Sequence, residues 1–428
     1  MKYINRLLFD ELKKWLDRRE IVAIKGPRQS GKTTMLEMLS EWLIADKGID
    51  SNHVNYITFE DRGVLDSFSQ DPKEFINRHM TDSEMHYFLI DEAQYCQSLG
   101  QKLKLIYDLF RNAKLVITGS SSLELKNQTG KFLVGRMLEF ELFPLSFYEY
   151  LSYADPGLAK MYKEWNDKAT SLVFDGSRFK AKEGKDIFND ELLKYASEYM
   201  KFGGYPAVVL EKDPAAKEVI LRNMVNNYID KDIVSFLQIT DTIKFRKLAT
   251  AIAASNGAII KLEQLANEIG SYFKELTKLA DVLEQTYVIR RIGPYHRNLV
   301  TELRKAHKFY FVDIGLRNSL IENFSDMNKR PDAGSIAENF VLSELFSHSK
   351  MHFWRTTAKT EVDFIADGKE PLPIEVKFQH FVAPDVNRSL YGFLDEYKSP
   401  NCMVVTKDFW GERKHGASNI VFVPIGYI

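Results

Sequence analysis

GPRQSGKTT, residues 26 to 34, constrains the fold more than any other stretch of the chain. Gly26, Gly31, Lys32 and Thr33 satisfy G-x-x-x-x-G-K-[ST], a glycine-rich loop that works only where a buried strand runs into the N-terminus of a helix. Both neighbours are legible. IVAIK, residues 21 to 25, has the apolar run of a short buried strand, and the residues after the loop read as a helix. In that setting the backbone N–H groups of residues 29 to 33 converge on a phosphate at a helix N-terminus. Lys32 reaches the β- and γ-phosphates and Thr33 ligates Mg²⁺. The expected nucleotide-binding set is Gly26, Pro27, Arg28, Gln29, Ser30, Gly31, Lys32, Thr33 and Thr34, with ATP and Mg²⁺ as ligands.

Further strands are expected at NYITF (55 to 59), YFLI (87 to 90) and KLVITGS (114 to 120), with helical stretches between them. That alternation is the pattern of a parallel α/β sheet with helices on both faces. The strand YFLI ends in Asp91-Glu92. Placed beside a phosphate loop, Asp91 would hold the metal and its water shell while Glu92 polarises the attacking water. The plainer reading of an acidic pair at a strand end is a surface turn.

A chain of 428 residues is long for one core and implies two or three domains. A net charge of -1 gives no general affinity for polyanions, so any nucleic-acid surface has to be a local patch. Cys96 and Cys402 are far apart, without CxxC spacing or nearby histidine pairs, which argues against zinc and disulfides and for a reducing cytoplasm. Residues 1 to 20 read as an amphipathic helix with Leu8, Leu12, Trp15 and Leu16 on one face, not as a signal peptide. No run approaches the ~20 apolar residues of a membrane helix, so a soluble intracellular protein with no membrane partner is expected.

The first 142 residues are assigned to the phosphate-loop core and 143–240 to a helical lid, with an insertion at about 155–189 whose middle is read as an exposed loop because its apolar residues are sparse and unphased. FGGYPAVV, residues 202 to 209, reads as a tight turn between helices. Residues 241–312 change rhythm. Helices at 262 to 269 and 273 to 285, separated by Gly270-Ser271 and followed by a two-stranded ribbon, give the order of a winged helix-turn-helix. Leu276, Leu279 and Leu283 would pack inward, leaving Lys274 and Lys278 outward and Arg290, Arg291, Arg297, Arg304, Lys305 and Lys308 on the ribbon to meet DNA phosphates. Glu275, Asp281, Glu284 and Glu302 dilute that patch, and such a module also serves protein interaction or oligomerisation.

The segment 313–428 reads as a mixed α/β domain, and EVDFIADGKEPLPIEVKF, residues 361 to 378, is its densest chemistry. On one strand Val362 and Phe364 face one way and Glu361 and Asp363 the other. On the next, Ile374, Val376 and Phe378 alternate with Glu375 and Lys377, and Asp367-Gly368 turns the chain between them. Asp363, Glu375 and Lys377 can then meet at one spot. Converging carboxylates suit Mg²⁺, and a lysine beside them can orient or acidify a water near a phosphodiester. Glu338, on a helix in GSIAENFV, adds a fourth member. The plain alternative is a salt-bridged edge hairpin.

Taken together, GPRQSGKTT, FLIDEAQ, LVITGSSS, LVGRMLEFEL, FGGYPAVV, YIDKDI, KFYFVDIGL, GSIAENFV, EVDF and IEVKF resemble, in order and over nearly the whole chain, a family of prokaryotic AAA-type ATPases with a C-terminal PD-(D/E)xK nuclease-like domain. The resemblance implies three domain types: an AAA-type core with its lid, a winged helix, and a restriction-endonuclease-like fold. It implies Glu92, Lys32, Ser120 and Arg136 as catalytic in the first, Ser120 as a γ-phosphate sensor and Arg136 as an arginine finger acting across a subunit boundary. A helix-surface salt bridge is the plainer role for Arg136. In the last domain it implies Glu375 and Lys377 as catalytic and Asp363, Glu375 and Glu338 as metal ligands, beside Thr33 and Asp91 at the ATP site. No Pro-Asp precedes Asp363; its neighbour is Val362. The expected activity is ATP hydrolysis that controls a DNA-associated, Mg²⁺-dependent nuclease. The alternative is an ATP-dependent switch that binds a protein partner and carries an inactive nuclease-like scaffold. DNA is the expected partner, with a homo-oligomer and a protein partner left open.

Overall fold

A computed structural model describes residues 3–119, 132–184, 186–227, 242–295 and 307–428. The chain divides into two compact units, Met1–Leu145 with Gln285–Tyr287, and Ser146–Glu284 with Val288–Ile428.

In the first unit β1 (Ile21–Lys25), β2 (Val54–Thr58), β3 (His86–Asp91), β4 (Ala113–Gly119) and β5 (Met137–Glu141) form one sheet in the order β2-β3-β4-β1-β5. Every pairing is parallel. β1, β3 and β4 are interior strands buried along their whole length, which is why they read as unbroken apolar runs. Alternation sends Val22 and Ile24 to a layer with Met35, Leu36, Leu39 and Leu43 of the helix Lys32–Ala45. Ile21 and Ala23 go to the opposite layer, with Phe68, Ile76, Leu103 and Ile106.

The helix expected over residues 1 to 20 is confined to Leu7–Lys13. Lys114, 2% exposed, donates from Nζ to the carbonyls of Trp15, Arg18 and Glu20 at 2.7, 2.7 and 2.5 Å. Three carbonyls turned onto one ammonium cannot stay aligned along a helix axis, so the chain unwinds into turns while Leu12 and Leu16 still reach the core.

The second unit opens with helices Phe147–Ala154, Pro156–Asp175, Asn189–Phe202, Pro206–Leu210 and Pro214–Asn227. The exposed loop expected in the middle of 155–189 is present at 176–184, where no helix or strand forms and the residues are exposed or half-buried, but it starts later than expected because the helix Pro156–Asp175 takes the first part. Asp155 caps that helix by accepting from the N–H groups of Gly157 and Leu158, Pro156 sits in its first turn, and Gly176 ends it in the left-handed region. Leu158, Tyr162, Ala169, Leu172 and Val173 are its buried face. The turn expected in FGGYPAVV is present between Phe202 and Pro206. Asp313 seats it: its Oδ2 accepts from Gly204 N–H at 2.8 Å and its Oδ1 from Leu316 N–H at 3.0 Å, capping the helix Ile314–Leu320. Gly203, at φ +76, has no room for a Cβ, which would lie 2.3 Å from Asp313 Oδ1. A Cβ on Gly315 would lie 2.1 Å from the Phe202 carbonyl oxygen.

Next come the helix Thr242–Ala254, β6 (Ile259–Ile260), helices Leu262–Ile269 and Phe273–Gln285, β7 (Ile289–Ile292) and β8 (His307–Phe311), with an antiparallel sheet in the order β6-β8-β7. Leu276, Leu279 and Leu283 are buried as expected, in a core shared with Phe245, Ile252, Val288, Phe309 and Phe311.

The C-terminal sheet is mixed. β9 (Met351–Arg355), β10 (Glu361–Ala366), β11 (Leu372–Lys377), β12 (Asn401–Thr406), β13 (Gly411–His415) and β14 (Ser418–Pro424) lie in the order β13-β14-β12-β11-β10-β9. β10 and β11 form the expected antiparallel hairpin, while β11–β12 and β12–β14 are parallel. The helix Arg388–Tyr397 packs Leu390, Phe393 and Leu394 with Val362, Ile365 and Val404, and the helix Ala333–Leu345 lies against β11.

Candidate functional site

β1 delivers the phosphate loop. Gly26 has φ +153 and a Cβ there would come within 2.1 Å of the Leu142 carbonyl oxygen, so only glycine lets the loop leave β1 this closely. Gly31 is left-handed and starts the helix Lys32–Ala45. Lys32 is 4% exposed and its Nζ donates to the carbonyls of Gly26 at 3.1 Å and Pro27 at 2.8 Å. Burial draws its pKa down to about 8, against the opposing pull of Glu92 and Asp91.

β3 ends at Asp91, directly across from the loop. Thr33 Oγ1 donates to Asp91 Oδ2 at 2.7 Å, and the Tyr56 hydroxyl donates to the same oxygen at 3.2 Å. Thr118 Oγ1 donates to Asp91 Oδ1 and accepts from the Glu92 N–H at 3.0 Å. Glu92 itself sits at φ 53, ψ 42, a region that costs a non-glycine residue of order 1–3 kcal/mol. Burial pushes its carboxyl pKa up; Lys32 and a hydrogen bond from Gln94 counter that. A threonine hydroxyl and a carboxylate held together are the hard oxygen donors Mg²⁺ prefers, so this pair fits that ion.

Ser120 lies outside the described residues. The residue of β4 that grips the acidic pair is Thr118, fully buried and missed in the sequence because the adjacency of β3 and β4 is not written in either strand. Arg136 does not sit on a helix surface. It immediately precedes β5, with Nε 3.2 Å from Asp108 and its guanidinium 5.8 Å from the Tyr107 ring centroid.

The second cluster belongs to β8, β10, β11 and the helix Ala333–Leu345. Asp363 Oδ2 accepts the Val376 N–H at 2.8 Å, so a side chain takes a backbone donor of the neighbouring strand beside a register shift in β10. Glu375, 3% exposed, has Oε1 held by Lys377 Nζ at 2.6 Å and Asn387 Nδ2 at 2.7 Å. Its Oε2 is buried without a hydrogen-bond partner. Glu338 Oε2 accepts from the Tyr310 hydroxyl at 3.1 Å. Burial first, and then mutual repulsion with Asp363, pushes the carboxyl pKa values of Glu338 and Glu375 up; burial does the same to Asp363.

Lys308 is the unforeseen member. Expected on the surface to meet DNA, it is 2% exposed, with Nζ 2.5 Å from Glu361 Oε1. Burial lowers its pKa, but Glu338, Asp363 and Glu361 together outweigh that and raise it. The signal was present: in KFYF the period of two puts Lys308 and Tyr310 on one face, where Tyr310 holds Glu338 and Lys308 pairs with Glu361. The rest of the basic patch is also altered. Arg291 pairs with Asp281 and Glu284, each at 2.5 Å, and Arg290 lies over the Phe346 ring at 4.0 Å. Lys274 and Lys278 are exposed as expected, and Arg297, Arg304 and Lys305 fall outside the described residues.

Among the described residues, the trio whose ligand atoms all lie within 4.8 Å of one another is His53, Asp82 and His86, not Glu338, Asp363 and Glu375. His53 Nε2 is 2.9 Å from Asp82 Oδ2 and His86 Nε2 is 3.3 Å from Asp82 Oδ1. The fold thus pairs two histidines that are 33 positions apart in the sequence, an arrangement that the absence of short His spacing does not exclude.

A family model described as "AAA domain" matches residues 18–151, and models described as "Domain of unknown function", DUF8612 and DUF4143, match 193–327 and 333–428. An uncharacterized protein of Haemophilus influenzae is 27% identical over 413 residues, 94% of this chain and 93% of that protein. Uncharacterized protein MJ1544 of Methanocaldococcus jannaschii is 26% identical over 387 residues, 88% of this chain and 78% of that protein. Among solved structures, the Walker-type ATPase PABY2304 of Pyrococcus abyssi aligns at 14% identity and a TM-score of 0.44, covering 74% of this chain and 96% of that one. The first unit is a parallel-sheet α/β domain resembling P-loop ATPases, and the second carries a mixed-sheet C-terminal domain. No helix among the described residues is long and apolar enough to cross a membrane.

Proposed function

We propose that the chain binds and hydrolyses ATP at residues 26–34 and works as a nucleotide-driven switch whose C-terminal domain is a nuclease-like scaffold that does not cleave. The observation that carries the first half is the Thr33–Asp91 contact at 2.7 Å beside the buried Lys32. Thr33 and Asp91 would hold magnesium there, which would supply positive charge against the negative charge that develops on the phosphates. The Lys32 ammonium exchanges two loop carbonyls for phosphate oxygens, backbone N–H groups of residues 29 to 33 cradle the β-phosphate, and Glu92 orients the attacking water. Thr118 positions the acidic pair. Arg136 and Ser120 remain proposals for a finger and a sensor. The test is steady-state ATP turnover of wild type against Lys32→Ala and Asp91→Asn, with binding of a fluorescent nucleotide measured alongside; turnover retained by both variants removes the reading.

The second half rests on charges already partnered within the chain. Glu375 is tied to Lys377 and Asn387, and the three expected ligands do not form a compact trio. Mg²⁺ therefore does not fit this cluster as it fits Thr33 and Asp91. The rival reading, nucleotide control of a DNA nuclease, draws support from the partnerless Glu375 Oε2 and from the exposed Lys274 and Lys278 on the second helix of a helix-turn-helix-like segment. Cleavage of plasmid and branched DNA with Mg²⁺, with and without ATP, separates the two: activity lost in Glu375→Ala would establish the rival.

A further inference from the structure

At the end of the first sheet away from the phosphate loop, three side chains of a different chemistry converge. β2 and β3 run parallel with Val54 beside Tyr87, so His53 and His86, one position earlier on each, lie side by side with ring centroids 4.5 Å apart. Asp82 stands between them: its Oδ2 is 2.9 Å from His53 Nε2 and its Oδ1 is 3.3 Å from His86 Nε2. The carboxylate is oriented by its own turn, since Oδ1 also accepts the Glu84 N–H at 2.9 Å, and Asn112 Nδ2 anchors that turn by donating to the Glu84 carbonyl at 3.0 Å. Among the described residues the ion partners of Asp82 are the two histidines, with no lysine or arginine at ion-pair distance. His86 is fully buried, and its Nδ1 has no hydrogen-bond partner. A buried imidazole held by one long hydrogen bond is poorly satisfied unless a stronger partner meets Nε2.

Two imidazole nitrogens and a carboxylate oxygen are the donor set of a borderline divalent cation. The ligand atoms of the trio all lie within 4.8 Å of one another. Zinc held at ~2.0–2.2 Å from each ligand spaces its donors ~3.3–3.6 Å apart, a spacing that small side-chain rotations reach from here. Hard Mg²⁺ prefers oxygens, the chemistry of Thr33 and Asp91, whereas imidazole suits zinc. We propose that His53, Asp82 and His86 form a zinc site with its fourth position open to water, tying the start of the edge strand β2 to β3 and to the turn before β3. Asp82 is exposed and His53 half-buried, so the ion has a way in from solvent, and His86 forms the buried floor. His86 and Asp91 are the first and last residues of β3, ~17 Å apart along the strand, so the ion acts on the sheet edge and not on the phosphates.

The probe is ZnCl₂, with Co²⁺ as its coloured substitute, titrated into the chelator-stripped full chain in excess Mg²⁺, which occupies the oxygen donors of Thr33 and Asp91. Wild type should bind about one zinc ion per chain, show the strong visible absorption of four-coordinate Co²⁺, and melt at a higher temperature with zinc than without. Losing even an outer partner of a ligand typically costs ~10–100-fold in affinity, so His53→Ala and Asp82→Asn should each bind at least ~10-fold more weakly and lose the Co²⁺ absorption. Asp82→Asn keeps the side-chain shape and an oxygen to accept the Glu84 N–H, so its weakened binding reports coordination and not folding. A wild-type chain that binds no zinc overturns the proposal whatever the variants do. So does wild-type affinity in either variant that melts cooperatively, because the ion then sits elsewhere.

Discussion

Two acidic constellations in this chain look alike on paper, Asp91-Glu92 at the end of β3 and Asp363 with Glu375 on the β10–β11 hairpin, yet the fold treats them in opposite ways. At the first, the cation is Lys32, turned onto the carbonyls of its own loop, where phosphate oxygens could replace those contacts one for one. At the second, Lys377 is already bonded to Glu375, Asp363 takes the Val376 N–H, and Lys308 holds the neighbouring Glu361. The difference teaches that a carboxylate pair becomes a ligand site only if its charge is left open by the rest of the chain. Sequence spacing describes the acids and says little about which cation gets there first.

The comparison can be broken at several points. Lys32→Ala should lower ATP turnover by at least ~100-fold, the cost typical of removing one preorganised donor to developing negative charge, measured by phosphate release. Lys308→Gln should cost about 3 kcal/mol of stability, visible in urea unfolding, because it breaks the ion pair between a buried ammonium and Glu361, which keeps only Arg355. A variant as stable as wild type would mean the second cluster is as open as the first. Thr118→Val, which removes only the hydroxyl that grips Asp91 and Glu92, should reduce turnover by ~10-fold with the fold intact.

Glu344 sharpens the contrast, since it is a buried carboxylate held by a backbone donor, Phe147 N–H at 3.1 Å. Burial pushes its pKa up to about 8. Its folded value lies above the 4.5 of a free glutamate, so its stabilising contribution is full below pH 4.5 and is lost as pH rises through 8. Glu344→Gln should therefore come closest to wild type near pH 4.5 and gain on it steadily as pH rises to 8, with little further gain at pH 9; a constant difference between pH 5 and 8 would count against the shift. The smallest effect is expected from Glu375→Ala on DNA, where cleavage should stay at background for both proteins.

Much of the first unit was readable in advance, because its strands are buried on both faces and the phosphate loop requires a strand before it and a helix after it. IVAIK was placed to the residue. The helices at 262–269 and 273–285 were equally legible from leucine spacing and the glycine between them. What failed had a common cause. The loop within 155–189 was started too early because a long helix needs only one apolar stripe, and the cap of the helix Pro156–Asp175, Asp155-Pro156, was the stronger signal. Arg291 and Lys308 looked like a phosphate-binding edge because the nearby acids Asp281 and Glu284 do not by themselves report that they will bond Arg291, and strand alternation gives the face of Lys308 without naming Glu361 as its partner. Thr118 escaped for the same reason: which strand lies beside β3 is decided by the crossover of the chain.

The glycines around Phe202 and Asp313 carry a consequence of another kind. The turn after Phe202 and the turn after Val312 are 109 residues apart, and each is shaped to the other, with Asp313 filling the space that a side chain on Gly203 would need and Phe202 filling that of Gly315. They behave as mould and cast. A single methyl group on either glycine has nowhere to go, and a fragment cut between the two turns keeps the mould without its cast. Fragments of this chain divided anywhere from Gly204 to Val312 should therefore recover their native helices only when both pieces are present together.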